Sequence, residues 1–195
     1  ALVFELEVDG DAASVVPEAA GQLDGAPVLG YVFPVTLSPE VVGFGDVEGD
    51  LALVVVSHPD FDDTPLWDAD GNGDYDDDGA IYHTHWVVLH DNDRAPAGRA
   101  VMQSDEESEL PPTAPMDMYL DSPGFTVVED GAFLRVIVPA DRVRRNLDFQ
   151  VGALTAYMEV DASEDQPLLA VHHIIEALDE GDTSTSIENT DEMPD

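Results

Sequence analysis

The stretch Ile81-Tyr82-His83-Thr84-His85-Trp86-Val87-Val88-Leu89-His90 decides how this chain is read. It consists of β-branched, aromatic, leucine and histidine residues with no Gly, Pro or acid, the composition of a pleated, buried strand. Successive side chains on a strand point to opposite faces, so His83 and His85 share a face with Ile81, Val87 and Leu89, and His90 points the other way. Two imidazoles at i and i+2 have α-carbons about 6.5–7 Å apart. That is near enough to chelate one ion at Zn–N distances of about 2.0–2.1 Å.

Outward from this segment, further runs rich in Val, Leu, Phe and Tyr recur between clusters of Gly, Pro and Asp. The spacing predicts strands over 2–8, 27–36, 50–57, 124–128, 132–138, 148–160 and 167–177. Long helical periodicity is missing, and Pro139 to Asn146 is the best short helical candidate. The expected fold is therefore mostly β, a two-layer antiparallel β-sandwich of jelly-roll or Ig-like topology. One domain spans residues 1–178, and the acidic, apolar-poor tail 179–195 is expected to be disordered. Two connections, 58–80 and 91–115, are too long for hairpin turns, and loops of that length tend to carry function or disorder.

Composition narrows the partners. Among 195 residues there are 43 Asp and Glu against six Lys and Arg, all six of them Arg, for a formal charge of −37. Such a surface repels phosphate backbones and anionic headgroups, which excludes nucleic acid and membrane insertion as primary modes. Self-repulsion of this size calls for screening by salt or divalent cations, so a saline, halophilic setting is expected. Without cysteine there are no disulfides or thiolate sites, and any transition metal must be held by His and carboxylate. No apolar run approaches the roughly 20 residues needed to span a bilayer. The chain opens at Ala1 without a Met, which fits a cleaved signal peptide or a trimmed chain, and a secreted or periplasmic location is expected.

The segment from Asp68 to Asp76 sets oxygen donors at alternate positions around glycines. Asp68, Asp70, Asn72 and Asp76 offer side chains, Asp74 its carbonyl, and Gly73 the sharp turn. Calcium takes six to eight oxygens at about 2.3–2.6 Å, which such a wrap supplies. The nine residues resemble the DxDGNGxxD loops of integrin-type and FG-GAP repeats and, more loosely, EF-hand and dockerin loops. The resemblance implies a calcium site and no particular fold. Position 12, where an EF-hand carries a bidentate Glu, is Gly79, and Asp77 or Asp78 is the candidate for the missing oxygen. A calcium ion here is expected to be structural.

Beyond His83 and His85, the late strand carries His172 and His173, of which alternation sends one inward and one outward, and His58 ends the 50–57 strand. If those strands are neighbours, His58, His83, His85 and one of His172 or His173 converge on a Zn or Cu ion with an open position. In the opposing reading these are core histidines, satisfied by backbone or by acids such as Asp60 and Asp91. The His83-Thr84-His85-Trp86 run is similar to the zinc-binding strand of α-class carbonic anhydrases, where a third His comes from a nearby strand. His-x-His on a strand also resembles the first metal motif of cupins, although the Glu expected a few residues later is absent.

Arg135, Arg142, Arg144 and Arg145 cluster in one stretch and are expected to pair with neighbouring acids. Met116 and Met118 are expected on a core face, with soft metal ligation as the other reading. No Gly-x-Ser-x-Gly elbow, phosphate loop or HExxH helix is present, so catalysis has no motif behind it except a metal. Three functions remain open. The first is an acidic metal-binding protein with structural calcium and a His-based Zn or Cu site. The second is a hydrolase or hydratase using zinc-activated water, whose pKa falls to about 7. The third is a calcium-stabilised interaction or adhesion module.

Overall fold

The computed structural model describes residues 1–61, 68, 71–74, 78–163, 166–178 and 186–187. Among the described residues eleven strands run in the order β1 (Leu2–Glu7), β2 (Pro27–Pro34), β3 (Asp50–Ser57), β4 (His83–Asp91), β5 (Arg99–Val101), β6 (Leu120–Asp121), β7 (Thr126–Asp130), β8 (Phe133–Val138), β9 (Ala153–Val160), β10 (Leu169–Leu178) and β11 (Ser186–Ile187). Helix among the described residues is confined to short 3-10 turns at Pro39–Val42, Asp78–Ala80 and Ala140–Val143. The chain is thus mostly β, as its composition predicts. Among the described residues no helix is long and apolar enough to cross a membrane. Of the tail 179–195, Ser186–Ile187 pairs with β1 and the remainder lies outside the described residues.

The strands form two sheets, one ordered β11-β1-β8-β7 and the other β3-β2-β9-β10-β5-β4-β6. In the second, β4 also pairs with β3, so six strands close on themselves and β6 extends one side of β4. Every pairing is antiparallel. Of the expected two-layer antiparallel β-sandwich, the β-rich composition and the two sheets with a shared apolar core are present, and one of the sheets is a closed six-stranded barrel. Closure removes the edges that an open sheet leaves unpaired.

The β3 sequence Leu51-Ala52-Leu53-Val54-Val55-Val56 lacks polar alternation because both of its faces are buried. Leu51, Leu53 and Val55 join Trp86 and Val88 of β4 in a core shared with Phe4, Leu134 and Val136 of the smaller sheet. Ala52, Val54 and Val56 face the barrel interior with Val87, Met118 and Met158. Phe4 packs edge-on against Phe33 and Trp86 at centroid distances of 5.7 and 6.4 Å, and such pairs add to plain burial. Met118 is 1% exposed and packs in the barrel core.

The scarce cations stand among acids. Arg135 bonds Glu5 and reaches Asp130 at 3.3 Å, Arg99 bonds Asp50 and reaches Asp91 at 2.8 Å, and Arg145 meets Asp141 at 2.7 Å. Arg142 lies over the Phe125 ring at 5.7 Å. Because six cations cannot offset 43 acids, repulsion remains the dominant surface term. The melting temperature is expected to rise as NaCl goes from about 0.01 M to 1 M, over which the Debye length falls from about 30 to 3 Å. A Tm that falls or stays flat in that titration, read by circular dichroism, contradicts a repulsion-limited fold.

Candidate metal centre

The β3–β4 pairing brings the histidines together. Val54 stands opposite His85 and Val56 opposite His83. His58 continues the inward-facing series Val54, Val56 just beyond the end of β3, so it reaches the side of the barrel where His83 projects. His58, His83 and His85 are 1%, 9% and 1% exposed. One ring nitrogen from each lies within 4.8 Å of the others, a group that could hold a metal ion. The His58 and His83 rings meet edge to face at 4.8 Å, as do His83 and His85.

Hydrogen bonding orients the rings. His58 Nδ1 lies 2.8 Å from the Phe61 carbonyl, and His83 Nδ1 lies 2.7 Å from the Ile81 carbonyl. A carbonyl oxygen only accepts, so both Nδ1 atoms are assigned the proton and both Nε2 atoms carry a lone pair. Those two Nε2 atoms face each other at 3.1 Å. A cation between them, a metal ion or a shared proton, would bond both nitrogens. An ion bonded to both at about 2.0–2.1 Å would subtend an angle of about 100°. Backbone carbonyls on Nδ1 are the ordinary second layer of a histidine metal site. A tetrahedral ion spaces its nitrogens by about 3.4 Å, so the 4.8 Å gap would narrow on binding.

The third ring is held differently. Ser122 Oγ lies 3.1 Å from His85 Nδ1, and a hydroxyl can give or take that proton. The neighbouring Asp121 carboxyl is 2% exposed and titrates above the usual carboxylate range. Desolvation raises it, while a bond from Thr113 Oγ1 and the charges of Arg142 and His85 draw it back. A cation on the histidines would lower it further.

Beneath His58 the chain turns back through Asp78–Ala80. The His58 amide donates to the Gly79 carbonyl at 2.8 Å and Ser57 Oγ donates to the Ala80 carbonyl at 2.7 Å. A Cβ at Gly79 would sit 2.5 Å from the Phe61 carbonyl oxygen, 2.6 Å from that of His58 and 2.9 Å from His58 Nδ1. Gly79 is therefore the floor on which His58 rests. Phe61 stacks on the His58 imidazole at 4.1 Å, nearly parallel.

His172 and His173 do not join this group. The β9–β10 register shifts between Val171 and His173, and a bulge of that kind breaks strict alternation. Both rings meet Tyr157, at 5.9 and 6.4 Å, and His172 Nδ1 lies 3.8 Å from Glu159. Nor do Asp60 and Asp91 serve the histidines: Asp60 accepts the Ala20 and Gly21 amides, and Asp91 holds Arg99. Gly79, Phe61 and Ser122 carry no signal in the sequence, because their part is played by position alone.

In the acidic loop, Asp68 accepts the Asn72 amide at 3.0 Å and the Gly73 amide at 2.8 Å, and Asn72 Oδ1 accepts the Asp74 amide at 2.6 Å. Gly71 and Gly73 adopt positive φ of 73° and 89°, the conformation that favours glycine. Asp70, Asp76 and Asp77 lie outside the described residues. Asp78 is 1% exposed at the start of the turn under His58.

No family model matches the chain, and no curated protein or solved structure matches it. The functional reading therefore rests on the chemistry of the site itself.

Proposed function

We propose that this protein binds one transition metal ion, zinc or copper, through Nε2 of His58, His83 and His85, in an extracytoplasmic and saline setting. The observation that carries the reading is the convergence of three buried histidines with ring nitrogens within 4.8 Å of one another, the Nε2 atoms of His58 and His83 facing each other at 3.1 Å. Imidazole ligands suit both metals. Elemental analysis by plasma mass spectrometry of untagged protein, purified without added metal, is expected to find about one Zn or Cu per chain. Protein that neither retains a transition metal nor takes one up on challenge leaves the triad as a proton-sharing core network, and a calcium-stabilised interaction module becomes the better account.

The 68–76 loop is proposed to hold calcium as a structural ion. In support, Asp68 gathers two backbone amides while Gly71 and Gly73 turn the chain around it. Calcium at about 100 times its dissociation constant would add about 2.7 kcal/mol of stability. Chelation at matched ionic strength is then expected to lower Tm, and an unchanged Tm counts against the site.

A hydrolase or hydratase is the second reading, favoured by the cavity that His58 and His85 line. Three protein ligands leave a fourth position where bound water would ionise near neutrality. Zinc-dependent ester hydrolysis rising with an apparent pKa of about 7 would bear this out.

A further inference from the structure

The barrel interior is not filled. Eight strands enclose a space that side chains just fill or that holds one small ligand, so a packed axis is the ordinary outcome for six. Here the inward positions carry short residues, among them Val32, Val54, Val87, Val101 and Ala156, with Met158. They leave a cavity of about 810 Å³ that runs from His58 and His85 to Asp50 and Arg99. Asp50 and His58 are separated by about 25 Å of extended chain, so the cavity follows the length of the barrel.

Charge narrows the occupant. Arg99 is already held by Asp50 and Asp91 at one end, and the formal charge of −37 repels anions on approach. The wall is aliphatic and would desolvate an ion without compensation. The volume falls within the range of drug-sized ligand sites.

We propose that the barrel interior is a binding site for an electrically neutral, apolar small molecule whose body lies along the Val and Met wall. This goes beyond the metal reading and does not depend on it, since other residues build the wall.

The test titrates 1-aminoanthracene, a neutral polarity-sensitive fluorophore, into the full chain and then displaces it with primary n-alkanols of increasing length. Saturable one-site enhancement is expected. Displacement should tighten about fourfold per added methylene until the alkanol outgrows the cavity. Ala156→Phe and Val101→Phe, each placing a ring in the space, should weaken the fluorophore by about tenfold or more with metal content unchanged. Absence of saturable enhancement, or unchanged affinity in both folded variants, overturns the proposal. Should the variants fail to fold, the alkanol series decides, and affinities without a length cut-off count against an enclosed site. Metal assayed on the same samples separates the two readings. Fluorophore binding by protein that holds no metal keeps the cavity and sinks the metal site, and metal without fluorophore binding does the reverse.

Discussion

Replacing His83 with alanine is expected to reduce retained zinc or copper from about one ion per chain to a trace. His83 stands between the other two rings, edge to face with each at 4.8 Å, and its Nε2 is 3.1 Å from that of His58. Its removal leaves two nitrogens, and the remaining pair cannot hold the ion from one side. Altering an outer-layer partner alone typically costs 10–100-fold in metal affinity, so loss of this ligand should exceed about 100-fold. Competition against a chromophoric chelator measures it. The control is the His172→Ala, His173→Ala double variant, whose rings pack on Tyr157. It should keep the full metal content, and equal loss in both variants would place the site elsewhere.

Gly79→Ala should cost about 3 kcal/mol of stability, at the upper end of overpacking effects. The added methyl meets two carbonyl oxygens and the His58 ring nitrogen at 2.9 Å or less. Two of those neighbours are backbone and cannot swing aside, so His58 and the turn must shift together. Metal affinity should fall by about 10–100-fold as His58 leaves its carbonyl partner. Urea unfolding reads the first effect and chelator competition the second. A variant as stable as the parent, with unchanged affinity, contradicts the place given to Gly79.

How far the fold could be read from residues depended on whether the signal was local. The longer strands are legible because β-branched and aromatic runs are bounded by turn residues, and β3 and β4 lie close to where composition puts them. The short β5, β6 and β11 have too few residues for any period to show. Barrel closure is a different matter. It turns on the β3–β4 pairing across the 58–82 connection, and no local pattern encodes a pairing over that distance.

The same division runs through the site. His83 and His85 declare themselves by i, i+2 spacing on one strand, and His58 by ending the neighbouring one. His172 and His173 mislead because a bulge in β10 cancels the alternation on which their placement relied. Gly79 looks like a failed ligand in an EF-hand frame, and its contacts make it a packing requirement instead.

The most direct test is anomalous diffraction at the zinc and copper edges from crystals of protein purified without added metal. The account predicts one strong peak within about 2.0–2.1 Å of Nε2 on His58, His83 and His85. A map empty at that point, with the His58 and His83 nitrogens still facing each other, would assign a shared proton where the metal is proposed and contradict the central claim.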